Sequence, residues 1–225
     1  MKKLVIFGAK AFAEIAHYCF THDSGYKVAG FTVDASYVQE PTFQGLPVVA
    51  FEEVEKHFPP GDYEMFVAMG IQKVNVLRAE KVSQAESKGY RLASYVSSKA
   101  DVPPDLQIHP NTMIMWRAGI QPFVEIGRNT IIWSTTRIGF HTRIGDHCWI
   151  TCAIFGESAT VGDYSFVGLN ATVAPFVSIG KSNVIGTGAL ILNDTKDFEV
   201  YRGHASTASR VPSHRLSSFG LREES

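Results

Sequence analysis

The stretch Ile131–Thr151 reads IIWSTTRIGFHTRIGDHCWIT, with isoleucine at 132, 138, 144 and 150, always six apart. A helix buries a stripe of period 3.6 and a half-buried strand one of period 2. Six fits neither on its own. The register runs back through Ile126, Ile120, Ile114 and Ile108. It runs on, after one five-residue step to Phe155, through Val161, Val167, Val173, Ile179, Ile185 and Ile191. Four residues after each aliphatic position stands a mostly small residue, as at Thr130, Thr136, Thr142, Cys148, Ile154, Ala159, Ser165 and Ala171. Glycine often follows the aliphatic residue directly, as at 127, 139, 145, 156, 162, 168, 180 and 186.

These spacings predict a three-sided solenoid. Each six-residue unit is a short strand plus a corner, and three units close a coil of about 18 residues. The aliphatic residue points inward onto its counterpart one coil away. The small residue also faces in, where the prism is narrow, and glycine relieves crowding near the corner. Residues 108 to 196 leave room for about five coils. The missing residue near Phe155 is expected at a corner, where the interior stack need not break.

The rest of the chain bounds the answer. Its 225 residues, 45% hydrophobic and 19% charged, are ordinary globular composition. A formal net charge of −1 gives no pull towards nucleic acid or an anionic membrane, so neither is expected as a partner. The opening apolar run is broken at once by Lys10 and Glu14, which argues for a buried strand rather than a leader. No stretch approaches the roughly 20 apolar residues of a spanning helix. The three cysteines, at 19, 148 and 152, form no CxxC, and the expectation is a reducing cytoplasm without disulfides.

The first hundred residues have another grammar. KLVIFG (3–8), VAGFTVD (28–34), YEMFVAMG (63–70) and YRLASYVS (90–97) read as strands. Residues 11–22 and 73–89 read as helices, and 46–58 as a short extended piece with a helix. Alternating strand and helix predicts a parallel sheet, a small Rossmann-like α/β domain over 1–101. The prolines of ADVPPDLQIHP (100–110) mark the passage into the solenoid, expected over 102–197, with a capping tail over 198–225. The loop Gly8-Ala9-Lys10-Ala11-Phe12-Ala13 has only the first glycine of a dinucleotide fingerprint. That disfavours a nicotinamide oxidoreductase and leaves the strand ends open to a smaller nucleotide.

The pattern [aliphatic]-Gly-x-x-[small]-x resembles the hexapeptide-repeat acyltransferases. With the front segment, VIFGAKAFAEIAH, the VD at 33–34, KVNVLRAE at 73–80 and VYRGHAS at 200–206, the chain is similar to the sugar O-acyltransferase family of the sialic-acid O-acetyltransferase type. That family includes N-acetyltransferases of nucleotide-linked amino sugars. The resemblance implies a left-handed parallel β-helix, a homotrimer with sites between neighbouring prisms, acetyl-CoA as donor, no metal, and a sugar or nucleotide-sugar acceptor, for surface-polysaccharide synthesis. It implies a nucleotide on Gly8, Ala9, Lys10 and Asp34, and a pantetheine arm along Gly168, Gly186 and Gly188. Lys196 or the tail's Arg202, Arg210, Arg215 and Arg222 would meet CoA phosphates, unless the tail serves only to cap the last coil.

In that family a histidine two residues after the aliphatic position commonly acts as general base. Counting from Ile138, Phe140 holds that place and His141 follows it. An imidazole suits the role because its ordinary pKa, about 6.5, lies near working pH. Three readings stay open. His141 serves from its shifted place, or the acceptor is an amine that needs little help, or the site has decayed into a trimeric scaffold or ligand-binding protein. Cys148 is read as core and His147 as solvent-facing. Trp116, Trp133 and Trp149 are read as outer residues destined for a trimer seam or a ligand.

Overall fold

A computed structural model describes residues 1–208, 210 and 212–215. The front segment alternates as its sequence suggests. β1 (Lys2–Phe7) leads to α1 (Ala11–His22) and β2 (Tyr26–Val33). Then come β3 (Thr42–Phe43), β4 (Leu46–Ala50), the four-residue α2 (Val54–His57), β5 (Tyr63–Val67) and α3 (Val76–Ser87). The sheet order is β3-β4-β2-β1-β5, parallel except for β3, which pairs antiparallel with β4. Central β1 is apolar on both faces because each face has a core to fill. Leu4 and Ile6 pack with α1, whereas Val5 and Phe7 pack with α2 and α3.

Two boundaries differ from expectation. α3 begins at Val76, because Lys73, Val74 and Asn75 all take left-handed backbone angles, with φ of 49°, 50° and 68°, which no right-handed helix includes. YRLASYVS is divided. Leu92 bridges to Met65 of the front sheet, while β6 (Tyr95–Val96) pairs with Met113–Ile114 of the solenoid. The Asp23 carboxylate, at the end of α1, ties that passage down. It accepts hydrogen bonds from Tyr95 Oη (2.8 Å), Ser97 Oγ (3.0 Å) and Ser98 N (3.0 Å). Its pKa is pulled down to about 2, first by the Ser98 side chain and then by the bonds from Tyr95, the Ser98 backbone and Ser97.

The solenoid is a triangular column of two-residue parallel strands from β7 (Met113–Ile114) to β20 (Leu190–Ile191). Each second residue is buried and aliphatic, save the aromatic Phe155, and together these side chains form one continuous core. Strands recur on three faces. The first carries Met113, Ile131, Trp149, Phe166 and Val184 outward; the second Gly119, Arg137, Ile154, Thr172 and Leu190; the third Glu125, Arg143, Thr160 and Ser178. β21 (Val200–Tyr201) adds a seventh strand to the first face beside Val184–Ile185, so the tail continues that face. Arg222 lies outside the described residues.

The inward small residues also have polar work. Thr130 Oγ1 donates to Gly145 O (2.9 Å), Thr142 Oγ1 to Gly156 O (3.0 Å), and Ser165 Oγ to Gly180 O (3.1 Å). A hydroxyl is tolerated inside because it satisfies a corner carbonyl. The five-residue step is absorbed at the corner Thr151–Cys152. It moves the small inward position from Ile154, where spacing placed it, to Ala153. Ala153 is fully buried, and Ile154 points outward, 47% exposed. Ile108, the first member of the register, is exposed rather than stacked. Each corner also holds a left-handed residue, from Asn111 (φ 57°) through Thr135, His141, His147, Cys152 and Phe176 to Ser182 (φ 55°).

The first face docks on the front segment. Met113, Ile131 and Trp149 join α1 in one core, and the Phe12 ring lies 4.9 Å from Trp149 and 6.0 Å from Trp133. Trp133 and Trp149 therefore pack inside the chain, contrary to the expectation of a seam between subunits. Only Trp116 of the three stays exposed.

Candidate functional site

The front segment holds a cavity of about 780 Å³ at the carboxyl ends of β1, β2 and β5. Four residues singled out in the sequence, Gly8, Ala9, Lys10 and Asp34, line it together. Gly8 has φ +127°, and a Cβ there would stand 2.8 Å from the Ala68 carbonyl, so β1 and β5 approach at a place only glycine fits. Lys10 caps α1 in extended conformation without a side-chain cap bond, and Lys10, Ala11 and Phe12 at the start of that helix line the cavity. Asp34, just past β2, is paired with Lys81 of α3 at 2.5 Å. The Lys81 ammonium also lies over the rings of Phe51 (4.5 Å) and Phe7 (4.9 Å). Two aromatic faces and a carboxylate make its burial tolerable.

Lys81 was not legible as a site residue. In sequence it is one of several lysines on an amphipathic helix, and only the packing of α3 over β1 and β5 turns it to Asp34. The same packing brings Gln72, Glu80 and Gln84 to the cavity wall. Gln72 and Gln84 sit in no quoted motif, and Glu80 closes KVNVLRAE without being singled out there.

His141 lies elsewhere. It occupies the left-handed position (φ 57°) of the corner joining the second and third faces, and that edge is opposite the face covered by the front segment. Its ring is exposed and lies nearly parallel to Phe123, 4.8 Å away at 11°. Phe140 beside it is partly exposed, its backbone N–H donating to Gln121 Oε1 (3.1 Å). Within one chain the structure does not bring His141 to the cavity.

The four residues expected to hold the donor also divide. Gly168, Gly186 and Gly188 share the edge between the first and second faces. Lys196, exposed, lies on the edge between the third and first, with its own backbone stacked over Gly180. Glycine at 168 and 186 is demanded by stacking alone. A Cβ at 168 would meet Thr187 N at 2.9 Å, and one at 186 would meet Tyr201 O at 2.9 Å. Gly188 differs. It is left-handed (φ +68°) with open space where a Cβ would stand, and its N–H donates to the carbonyl of exposed Leu169.

Cys148 is fully buried and its thiol is pushed up to about 12 by that burial, as befits a core residue and not a nucleophile. His147 is not the solvent-facing residue that its corner position suggested. It is half-buried, stacked on Tyr164 at 4.7 Å, and its Nδ1 lies 2.8 Å from Asn129 Nδ2. Burial lowers its pKa, in keeping with a neutral ring that accepts from the amide.

No family model matches the chain. Among curated proteins it is 39% identical over 75 residues to the bifunctional protein GlmU of Mycobacterium marinum, a match covering 29% of this chain and 15% of that one. It is 24% identical over 137 residues to the serine acetyltransferase of Bacillus subtilis, covering 58% of this chain and 60% of that one. The chain thus spans only a minor part of the GlmU relatives it matches. Among solved structures it is similar to a variant of perosamine N-acetyltransferase from Caulobacter crescentus, in complex with CoA and GDP-perosamine. The TM-score is 0.81 and the identity 25%, over 90% of this chain and 94% of that one. The acetyltransferase domain of PglB from Neisseria gonorrhoeae shares the fold at TM-score 0.79 and 19% identity, over 90% and 97%. Period-six parallel strands in three sheets fit a left-handed β-helix, the fold of these neighbours.

Proposed function

We propose that this chain, a hexapeptide-repeat acyltransferase, moves an acetyl group from acetyl-CoA to the amine or hydroxyl of a nucleotide-linked sugar, in the building of a surface glycan. The observation that carries the reading is the near end-to-end likeness to an N-acetyltransferase crystallised with CoA and a nucleotide sugar. The division of labour follows the sequence. A Rossmann-like segment, 1–101, binds the acceptor's nucleotide; a left-handed β-helix, 102–197, carries the transfer; and residues 198–225 form the tail. In the cavity the diphosphate meets Lys10 and the start of α1 beside Gly8 and Ala9, and Asp34 is left for the nucleoside. The pantetheine arm follows the edge of Gly168, Gly186 and Gly188, where Gly188 and Leu169 leave a shallow, partly apolar surface. Lys196 faces the CoA phosphates.

A homotrimer reconciles these places. His141 and the cavity lie on opposite sides of one column, so a complete site needs an edge from a second copy. The second face supports such contact: Ile154 (47% exposed) and Leu190 (62%) point outward there, and Phe140 and Phe176 stand on its edge with the third. In the reaction the acceptor's nitrogen or oxygen attacks the thioester carbonyl as His141 takes its proton, the carbon–sulfur bond then breaks, and the departing CoA thiolate recovers that proton from His141 and leaves as the thiol. Among the described residues no helix is long and apolar enough to cross a membrane, and the reaction is assigned to the cytoplasm, where acetyl-CoA is made.

Phe140, standing where the family's base is expected, favours a second reading, a trimeric binding scaffold that no longer transfers. Calorimetric titration with CoA separates the two. An acetyltransferase gives a saturable heat that acetyl-CoA abolishes by competition, whereas a scaffold with no donor cleft gives none.

A further inference from the structure

Arg78 is fully buried, yet among the described residues all six of its hydrogen bonds end on neutral oxygens. Nε donates to Asn129 Oδ1 (3.1 Å) and Nη1 to Asn75 Oδ1 (3.0 Å) and Gly70 O (3.3 Å). Nη2 donates to the carbonyls of Asn129 (3.2 Å), His147 (3.0 Å) and Cys148 (3.1 Å). The guanidinium also lies over the Trp149 ring, 5.3 Å from its centre. A buried cation with no counter-ion among the described residues is costly, several kcal/mol before its hydrogen bonds are counted. The junction does not need it for cohesion, because Phe12, Met113, Ile131 and Trp149 already form an apolar seam.

Its bonds do something an apolar plug does not. They fix α3 against particular coils. Arg78 holds one coil at Asn129 and the next at His147–Cys148, and Asn75 Nδ2 holds a third through the carbonyls of Tyr164 (3.0 Å) and Ser165 (3.3 Å). The same lattice grips the cavity wall. Gly70 O is bound by Arg78, and Val67 exchanges two bonds with the Asn111 side chain, which in turn donates to Asn129 Oδ1 (2.8 Å). Ala68, Met69, Gly70, Leu77 and Lys81, all on segments held this way, line the cavity.

We propose that Arg78, with Asn75, is a positioning residue of the transferase: it sets the height and angle of the acceptor cavity on the column, so that a bound nucleotide sugar is presented at the transfer edge of a neighbouring copy. The proposal rests on the acetyltransferase reading and adds to it a residue that touches neither substrate. Directional bonds to three successive coils allow one docking register, whereas the apolar seam tolerates sliding. Arg78 therefore acts on the chemical step and leaves the nucleotide's own contacts at Gly8, Lys10 and Asp34 in place. A displacement of about 1 Å far from the reacting atoms lowers turnover on the order of 100-fold.

The test uses the full chain with Arg78→Lys and Asn75→Gly. Lysine keeps the charge but offers three donors in place of a five-donor fork. Glycine keeps the left-handed backbone at 75 while removing both bonds to the third coil, and it serves if the lysine variant does not fold. Two measurements are made. Spin labels at Lys27 and Ser178, in a Cys152→Ser background diluted with unlabelled chain, report the distance from front segment to column. Kinetics with acetyl-CoA and a nucleotide-linked amino sugar, with GDP and UDP titrations alongside, separate kcat from nucleotide affinity. The expected result is a broadened or displaced distance in the variants and kcat lowered on the order of 100-fold, with nucleotide Kd within about threefold of wild type because its contacts are untouched. Unchanged distances overturn the proposal, as do changed distances with unchanged kcat. A wild-type protein without turnover instead overturns the acetyltransferase reading, and the distances then still decide whether Arg78 sets the docking.

Discussion

Gly162→Ala should destabilise the column by about 3 kcal/mol or more, an overpacking that cannot relax, while Gly119→Ala should stay within about 0.5 kcal/mol of wild type. Both glycines belong to the column and neither has a left-handed backbone. They differ in what lies over them. A Cβ at 162 would stand 2.4 Å from Lys181 N and 2.6 Å from Gly180 C, which are backbone atoms of the next coil. A side chain can swing away from a new methyl group, but a stacked coil must lift. Lifting it stretches Gly162 N–H to Ile179 O (2.8 Å), a bond that holds the coils together. At 119 no atom of the described residues lies within 4 Å of a Cβ. Denaturant midpoints for the pair decide the matter, and equal shifts in the two variants would mean that coil spacing does not set the glycine requirement.

His141→Asn should lower turnover by about 10²- to 10⁴-fold, the usual contribution of a positioned general base. Asparagine is the right replacement because position 141 is left-handed, where alanine would add strain of about 1 kcal/mol and confuse the reading. The change should leave CoA affinity near wild type, since the imidazole is assigned to the acceptor's proton. Phe140→His, placed in the His141→Asn background, puts an imidazole on the same exposed edge one residue earlier and should restore part of the loss. Undiminished turnover in His141→Asn would point instead to an amine that attacks without a protein base.

The column was legible because its signal is redundant. Every coil repeats the same choice of aliphatic, glycine and small residue, and burial follows that register from Ile114 to Ile191. The exception shows the limit. A five-residue step tells that one residue is missing, but not on which side of the corner, and so Ile154 was expected inside where Ala153 in fact lies. The corner conformation was hidden for another reason. Left-handed backbone is usually announced by glycine or asparagine, yet here coil closure imposes it on Arg117, Phe123, Thr135 and His141 alike.

What lies between the front segment and the column was not legible at all. Trp133 and Trp149 look like exposed residues of a solenoid, and only the docking of Phe12 buries them. Arg78 stands in a helical stretch with nothing in its spacing to mark it, and its burial depends on oxygens about 50 to 70 positions further on, contacts that local patterning does not encode. Of the candidate site, Gly8 carried a backbone reason visible in the sequence, a glycine closing an apolar strand. Lys81, the partner of Asp34, carried none.

The most direct measurement is of the transfer itself. Purified protein is incubated with acetyl-CoA and a panel of nucleotide-linked sugars bearing free amines or hydroxyls, while free thiol is followed and the sugars are weighed by mass spectrometry. An acetyltransferase releases one thiol for each acetyl group gained by an acceptor, and releases little when the acceptor is withheld. Thiol release that ignores the acceptor, or none across both chemical classes together with no heat on adding CoA, would contradict the assignment and leave a column that binds without reacting.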